Sequence, residues 1–433
     1  MQEQETKLHK SLGPLHLWGI AVGLVISGDY FGWNFGWGTA SFWEFALAVL
    51  LVALFYISFA LSFTELSASI PHAGGPSAYA ERAFGRLGGL VSGYFVFCEF
   101  ALAPPAIASA LGGYFHFLFP EISILSASLL FYILLVGINL LGIKQSASFE
   151  LTVTFLAVFG LLLYLIASFP FFSWRNIPEW QGIGSISWKS LFSSIPFAIW
   201  FFLAVEGVSM AAEEVKNPQR DIPLGYAAGI LTLILFAFSI FFVTAGVVPT
   251  SEIADSEYPL SYALGKLYGN GSLLTRIFTF IGLFGLIASL FGIILGYSRL
   301  VYALSLSGYL PRFLAKVDKK RQVPSLAVLS SLAIGVVCII LGDTSQLVTA
   351  SALGACGMYV LSMLSFFQLR KSQPMLNRPY QTPLYPYLPA MALILGLFAF
   401  FAVFVSAIPI AMYMFLGFLV CLVLFCLNGR MQK

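Results

Sequence analysis

Three carboxylates set the chemical problem in this chain. Asp29, Glu99 and Glu206 each sit inside an apolar stretch, about 12 to 16 residues from its end, which at helical rise is roughly 18 to 24 Å deep. No Lys, Arg or His lies at comparable depth. An ionised carboxylate in such surroundings costs several kcal/mol unless it is paired, or it takes up a proton. Something cationic must therefore visit these positions, or some of the acids are neutral. A transported ammonium, a sodium ion and a proton are the candidates.

Two of the acids adjoin glycine. Ser27-Gly28-Asp29-Tyr30 and Glu206-Gly207 each interrupt a run that otherwise reads as continuous membrane helix. An acid beside a glycine at mid-depth is costly unless the helix opens there toward a cavity or partner. Aromatic residues flank both interruptions: Tyr30, Phe31 and Trp33 in one, Trp200, Phe201 and Phe202 in the other. They could stabilise a cation by about 0.5 to 2 kcal/mol, although with 43 phenylalanines aromatic neighbours are common anywhere in this chain. Glu99 precedes Pro104-Pro105, which remove backbone donors and should kink the helix beside it. It reads either as a wall of the same site or as a protonated carboxyl bonded to a freed carbonyl. Glu44, Glu65 and Glu150 lie nearer the ends of their segments and read as structural or gating groups.

Other chemistries have little to work with. The five cysteines, Cys98, Cys338, Cys356, Cys421 and Cys426, form no CxxC pair, and His9, His16, His72 and His116 are scattered, so no metal site, cofactor or hydrolytic triad is expected.

The elements that must hold these acids follow from composition. The chain of 433 residues is 59% hydrophobic and 9% charged, too apolar for one aqueous core. At about 20 residues per span, apolar segments fall near 17–39, 44–68, 86–117, 123–142, 147–171, 190–214, 222–247, 270–303, 325–341, 345–369, 386–405 and 408–428. An all-α membrane protein of twelve transmembrane helices is expected. Basic residues sort across this scheme. With residues 1–16 and 429–433 as cytoplasmic tails, Arg175, Lys189, Lys266 and Arg276 alone fall outside, and the other 18 of the 22 Lys and Arg fall inside. Trp33, Trp37, Trp43, Trp174, Trp180 and Trp188 fall on the outer side, where an interfacial belt is expected. No basic patch suited to nucleic acid is present.

The interrupted segments are the first and the sixth, five apart, as an inverted repeat of five plus five helices requires. Residues 17–171 and 190–369 would be the two repeats, and 386–428 would lie outside them.

Three connectors resemble the amino acid, polyamine and organocation transporter superfamily: Glu65-Leu66 with Pro71-His72-Ala73-Gly74-Gly75-Pro76-Ser77-Ala78-Tyr79 and Phe84-Gly85; Glu213-Glu214-Val215-Lys216-Asn217-Pro218-Gln219-Arg220-Asp221-Ile222-Pro223; and Tyr297-Ser298-Arg299 with Gly308-Tyr309-Leu310-Pro311. Ser27-Gly28-Asp29-Tyr30-Phe31-Gly32-Trp33-Asn34, Glu99 to Ala106, and Trp200 to Gly207 are similar, more narrowly, to the ethanolamine permease branch, where glutamate is usual in place of Asp29. The resemblance implies secondary transport in the cell membrane. In most amino acid carriers of the superfamily a glycine-x-glycine holds the substrate carboxylate, and here those positions are Ser27 and Asp29. An acid there repels a carboxylate and welcomes an amine.

The expected substrate site is Ser27, Gly28, Asp29, Tyr30, Glu99, Trp200, Phe202, Glu206 and Gly207, with ethanolamine or a similar amine as cargo. An amino acid permease, an amino acid and amine exchanger, and a nutrient sensor without flux are the alternatives. The lysine that proton-coupled relatives carry in span 5 is missing from 147–171. Coupling through Glu206 or Asp29, sodium near Ser289, and uniport all remain open.

Overall fold

The computed structural model describes residues 12–72, 74–142, 147–318, 321 and 323–431. Helices dominate it. Eight of those among the described residues are long and apolar enough to cross a membrane, and four shorter apolar helices, Pro14–Val25, Ile124–Leu140, Ser325–Leu341 and Ile408–Val423, complete the expected twelve.

Span 1 comprises Pro14–Val25, the single turn Ser27–Tyr30 and a 3-10 segment Trp33–Gly38. Spans 2 to 5 are Phe42–Ser69, Pro76–Leu118, Ile124–Leu140 and Ala147–Ser168. Span 6 is Trp188–Trp200 followed by a 3-10 segment, Val205–Glu214. Spans 7 to 12 are Pro218–Val247, Leu273–Leu306, Ser325–Leu341, Thr344–Ser372, Tyr387–Ser406 and Ile408–Met431. Their starts carry ordinary signals. Ser123, Ser272 and Asp343 accept a backbone N–H of the first turn, and proline opens spans 1, 3 and 7.

The outer surface is what a bilayer demands. Phe155, Phe159, Leu162 and Ile166 form one exposed stripe on span 5 at helical spacing, with Ile166 72% exposed. Inside, small residues let helices touch. A Cβ on Gly354 of span 10 would lie 2.8 Å from the Phe95 carbonyl oxygen and the Glu99 nitrogen of span 3. Glu65 of span 2 joins the far ends of the bundle: Arg370 of span 10 grips it in a fork at 2.8 and 2.6 Å, Arg378 approaches to 3.3 Å, and the Thr382 amide donates at 2.8 Å.

Several expectations need adjustment. Trp33 and Trp37 are buried, not interfacial, because the broken half of span 1 folds inward and stacks their rings against each other and against Phe241. Trp174, Trp180 and Trp188 are exposed as a belt would be. The helix runs through Pro104-Pro105 with helical dihedrals, and the departure in span 3 falls at Gly85, φ 73°. The Pro76–Phe84 stretch is therefore a short helix that meets span 3 at a kink, rather than an irregular connector. Of the basic residues assigned inside, Lys7, Lys10, Lys144, Lys319, Lys320 and Lys433 lie outside the described residues, as does His9.

Candidate functional site

The first and sixth spans open where their sequences suggested, and they open onto each other. In span 1 the helical turn holding Asp29 ends at Phe31, which is extended, and Gly32 takes φ 88°. In span 6 the helix ends at Trp200, and Ala204 adopts φ 73° before the 3-10 segment begins. A non-glycine residue there stores about 1 to 3 kcal/mol and persists only where its surroundings hold it. Gly28 is needed for the approach, since a Cβ on it would collide with the Trp200 carbonyl oxygen.

All three deep acids are fully buried, and they are not grouped as one cluster of three. Neither oxygen of Asp29 has a hydrogen-bond partner, while its carbonyl accepts from Trp33 Nε1 at 3.2 Å. Glu99 and Glu206 come together: their carboxyls face one another within hydrogen-bonding reach, with the Ala204 backbone beside Glu99. Tyr359 donates to Glu206 Oε2 at 3.1 Å, and Tyr56 Oη lies 2.9 Å from Tyr359 Oη. Both Glu99 oxygens and Glu206 Oε1 lack a donor. No Lys, Arg or His among the described residues forms an ion pair with any of the three acids.

The remaining expected residues divide between the site and its walls. Phe202 stacks toward Tyr56 at 5.0 Å, and the Trp200 ring meets Phe31 at 5.7 Å with its Nε1 unpartnered. Gly207 faces Leu24 and Phe100, joining spans 1, 3 and 6. Tyr30 turns away: its hydroxyl donates to the Ala157 carbonyl of span 5 at 2.7 Å, and its ring lies against Tyr114 and Phe278. Ser27 Oγ donates to Ser289 Oγ at 2.8 Å, because the Ser289 proton is committed to the Leu24 carbonyl at 2.6 Å. Those three oxygens satisfy one another and include no carboxylate, a poor match to the six or more oxygens hard cations such as calcium gather.

Tyr56 and Tyr359 belong to the site and were not anticipated. The run of small residues from Ala350 to Gly357 was the available signal, since it marks the face of span 10 that packs closely on span 3.

The loop between spans 7 and 8 packs against the broken half of span 1. Asn34 Nδ2 donates to the Ile253, Ala254 and Ser256 carbonyls at 2.6, 3.3 and 2.9 Å, and its Oδ1 accepts from Gly32 N at 3.0 Å. Burial pushes the Glu257 carboxyl up to about 7, with Asp343 adding to the rise and Thr344 opposing it. On the exposed face, hydrogen bonds from Lys266 and Tyr262 lower the Glu252 carboxyl, and Glu252 in turn raises Lys266.

A helical membrane bundle with two facing broken helices around a sealed, acid-lined centre defines the class of a membrane transporter. The amino acid permease family model matches residues 12–427, and the chain belongs to that family, within the amino acid, polyamine and organocation superfamily. It is 28% identical over 415 residues to an uncharacterized transporter of Rhizobium meliloti (strain 1021), covering 92% of this chain and 88% of the relative. It is 24% identical over 417 residues to a branched-chain amino acid permease of Bacillus subtilis (strain 168), covering 91% and 88%. A methylthioribose transporter of the same organism is 24% identical over 417 residues, covering 90% and 88%.

Proposed function

We propose that this transporter imports a small cationic amine, with ethanolamine the leading candidate, by alternating access across the cell membrane with both termini on the cytoplasmic side. The observation that carries the reading is the set of three wholly buried acids, Asp29 and Glu206 beside the two breaks and Glu99 of span 3 facing Glu206, without a basic partner among the described residues. A zwitterionic amino acid brings a carboxylate into a site that already holds several; an amino alcohol brings only the ammonium. Asp29 occupies the position where a substrate carboxylate would dock on backbone amides. The relative named for methylthioribose supports cargo without an α-carboxylate being compatible with this family. Two inverted repeats, 17–171 and 190–369, would rock around the site, with 386–428 outside them.

The second reading is an amino acid permease or exchanger, favoured by the name of the Bacillus subtilis branched-chain relative. Proteoliposomes holding only this protein separate the two. Labelled ethanolamine should enter, cold ethanolamine should compete, and leucine, alanine and serine should not. D29N with E206Q should abolish uptake. Leucine uptake that ethanolamine does not inhibit would replace the amine reading with the amino acid one, and no net flux of either would leave a sensor.

A further inference from the structure

We infer that Glu99 and Glu206 hold a single proton between them, and that a cationic amine entering the site displaces it. The second clause rests on the amine reading above; the first does not.

Tyr359 has one hydroxyl proton, and it goes to Glu206 Oε2. Tyr56 must then donate to Tyr359 rather than accept from it, so the two tyrosines form a one-directional chain ending on Glu206. That leaves both Glu99 oxygens and Glu206 Oε1 fully buried with no side-chain donor among the described residues, the Ala204 backbone lying beside Glu99. Two carboxylates facing each other are acceptors only, and they can bond only through a proton placed between them. With one proton the pair carries one negative charge. With none it carries two, in a region closed to solvent.

The titratable groups facing the pair among the described residues come from three neighbouring spans, and none is basic. Tyr56 approaches from span 2, Cys356 and Tyr359 from span 10, and Tyr226 from span 7, its hydroxyl donating to the Glu206 carbonyl at 3.4 Å. The charge of the pair must therefore be balanced by what arrives from outside the protein. When an ammonium replaces the shared proton, two carboxylates and one cation leave a net charge of minus one, as before. The proton leaves to bulk solvent, and no bond other than O–H is broken. Proton and amine are thus alternative occupants, which makes amine binding weaken as pH falls.

Two measurements on the full chain test this. Infrared spectra in heavy water at neutral pH should contain a protonated carboxyl band that both E99Q and E206Q remove, because each glutamine amide supplies the missing donor. Purified protein in weak buffer should release close to one proton per ethanolamine bound. A wild-type spectrum in which neither substitution changes the carboxyl band overturns the shared proton. A band that responds, with ethanolamine binding and no proton release, overturns displacement. A responding band with no ethanolamine binding upholds the shared proton, rejects its displacement by amine, and moves the failure to the amine reading. The proton-release experiment on the wild type needs no variant to fold.

Discussion

At the scale of single residues, the breaks were legible because two rare things coincide: an acid at mid-span and a glycine beside it. Gly28 has the stronger consequence. Its missing side chain is the space taken by the Trp200 carbonyl, so Gly28→Ala should overpack the closed state by about 1 to 3 kcal/mol and lower uptake roughly tenfold or more. Uptake per inserted protein measures it, with size-exclusion elution unchanged; normal uptake would mean that the two breaks need not touch. The pairing of Glu99 with Glu206 was not legible. They lie on different spans with no shared motif, and only the packing of spans 3, 6 and 10 reveals that they meet. Among 19 tyrosines Tyr56 carried no mark, and Tyr359 only its place just after the small-residue face of span 10.

At the scale of elements, hydropathy located all twelve helices because lipid imposes one length and one polarity on each. It could not separate a buried tryptophan from an interfacial one, since Trp33 and Trp37 share their depth with the outer belt and differ only in which way a broken helix turns. The start it gave span 3, residue 86, coincides with the break at Gly85, φ 73°, although the short helix before that break read as connector. Between elements, Glu65 is the most consequential tie. Its carboxylate is 3% exposed and receives two arginines and an amide from span 10 and the segment beyond it. Glu65→Gln leaves Arg370 and Arg378 without their counter-charge, and removing one partner of such a pair costs about 3 kcal/mol or more. The melting temperature in detergent should fall by several degrees, and a Glu65→Gln, Arg370→Met double substitution should recover part of it. Equal melting of the wild type and E65Q would reduce the contact to a solvated one.

At the scale of the whole molecule, the asymmetry of basic connectors points to orientation, and the family match covers nearly the whole chain, yet neither reports how firmly the loop between spans 7 and 8 is held. Glu257 lies half-buried in that loop, beside Asp343 and Thr344. Its carboxyl sits at about 7 in the folded protein, above the ordinary 4.5, so the folded form keeps the proton longer than the unfolded one. The stability it permits is complete below the ordinary value and is lost as pH rises through about 7. Hydrogen exchange in residues 250–268 should accelerate between pH 6 and pH 8, about one unit either side of that midpoint, and E257Q should flatten the profile. Exchange that is pH-independent after correction for intrinsic rates would place Glu257 in contact with water.

Asn34 makes that outer loop something more than a cover. One side-chain amide grips three loop carbonyls while its own oxygen holds the amide of Gly32 at the break in span 1. The loop surface, including exposed Asp255, is thereby mechanically continuous with the buried turn that carries Asp29. A dye attached at position 255 would sit on the surface and still ride with the buried turn of span 1, turning each movement of that turn into an optical signal.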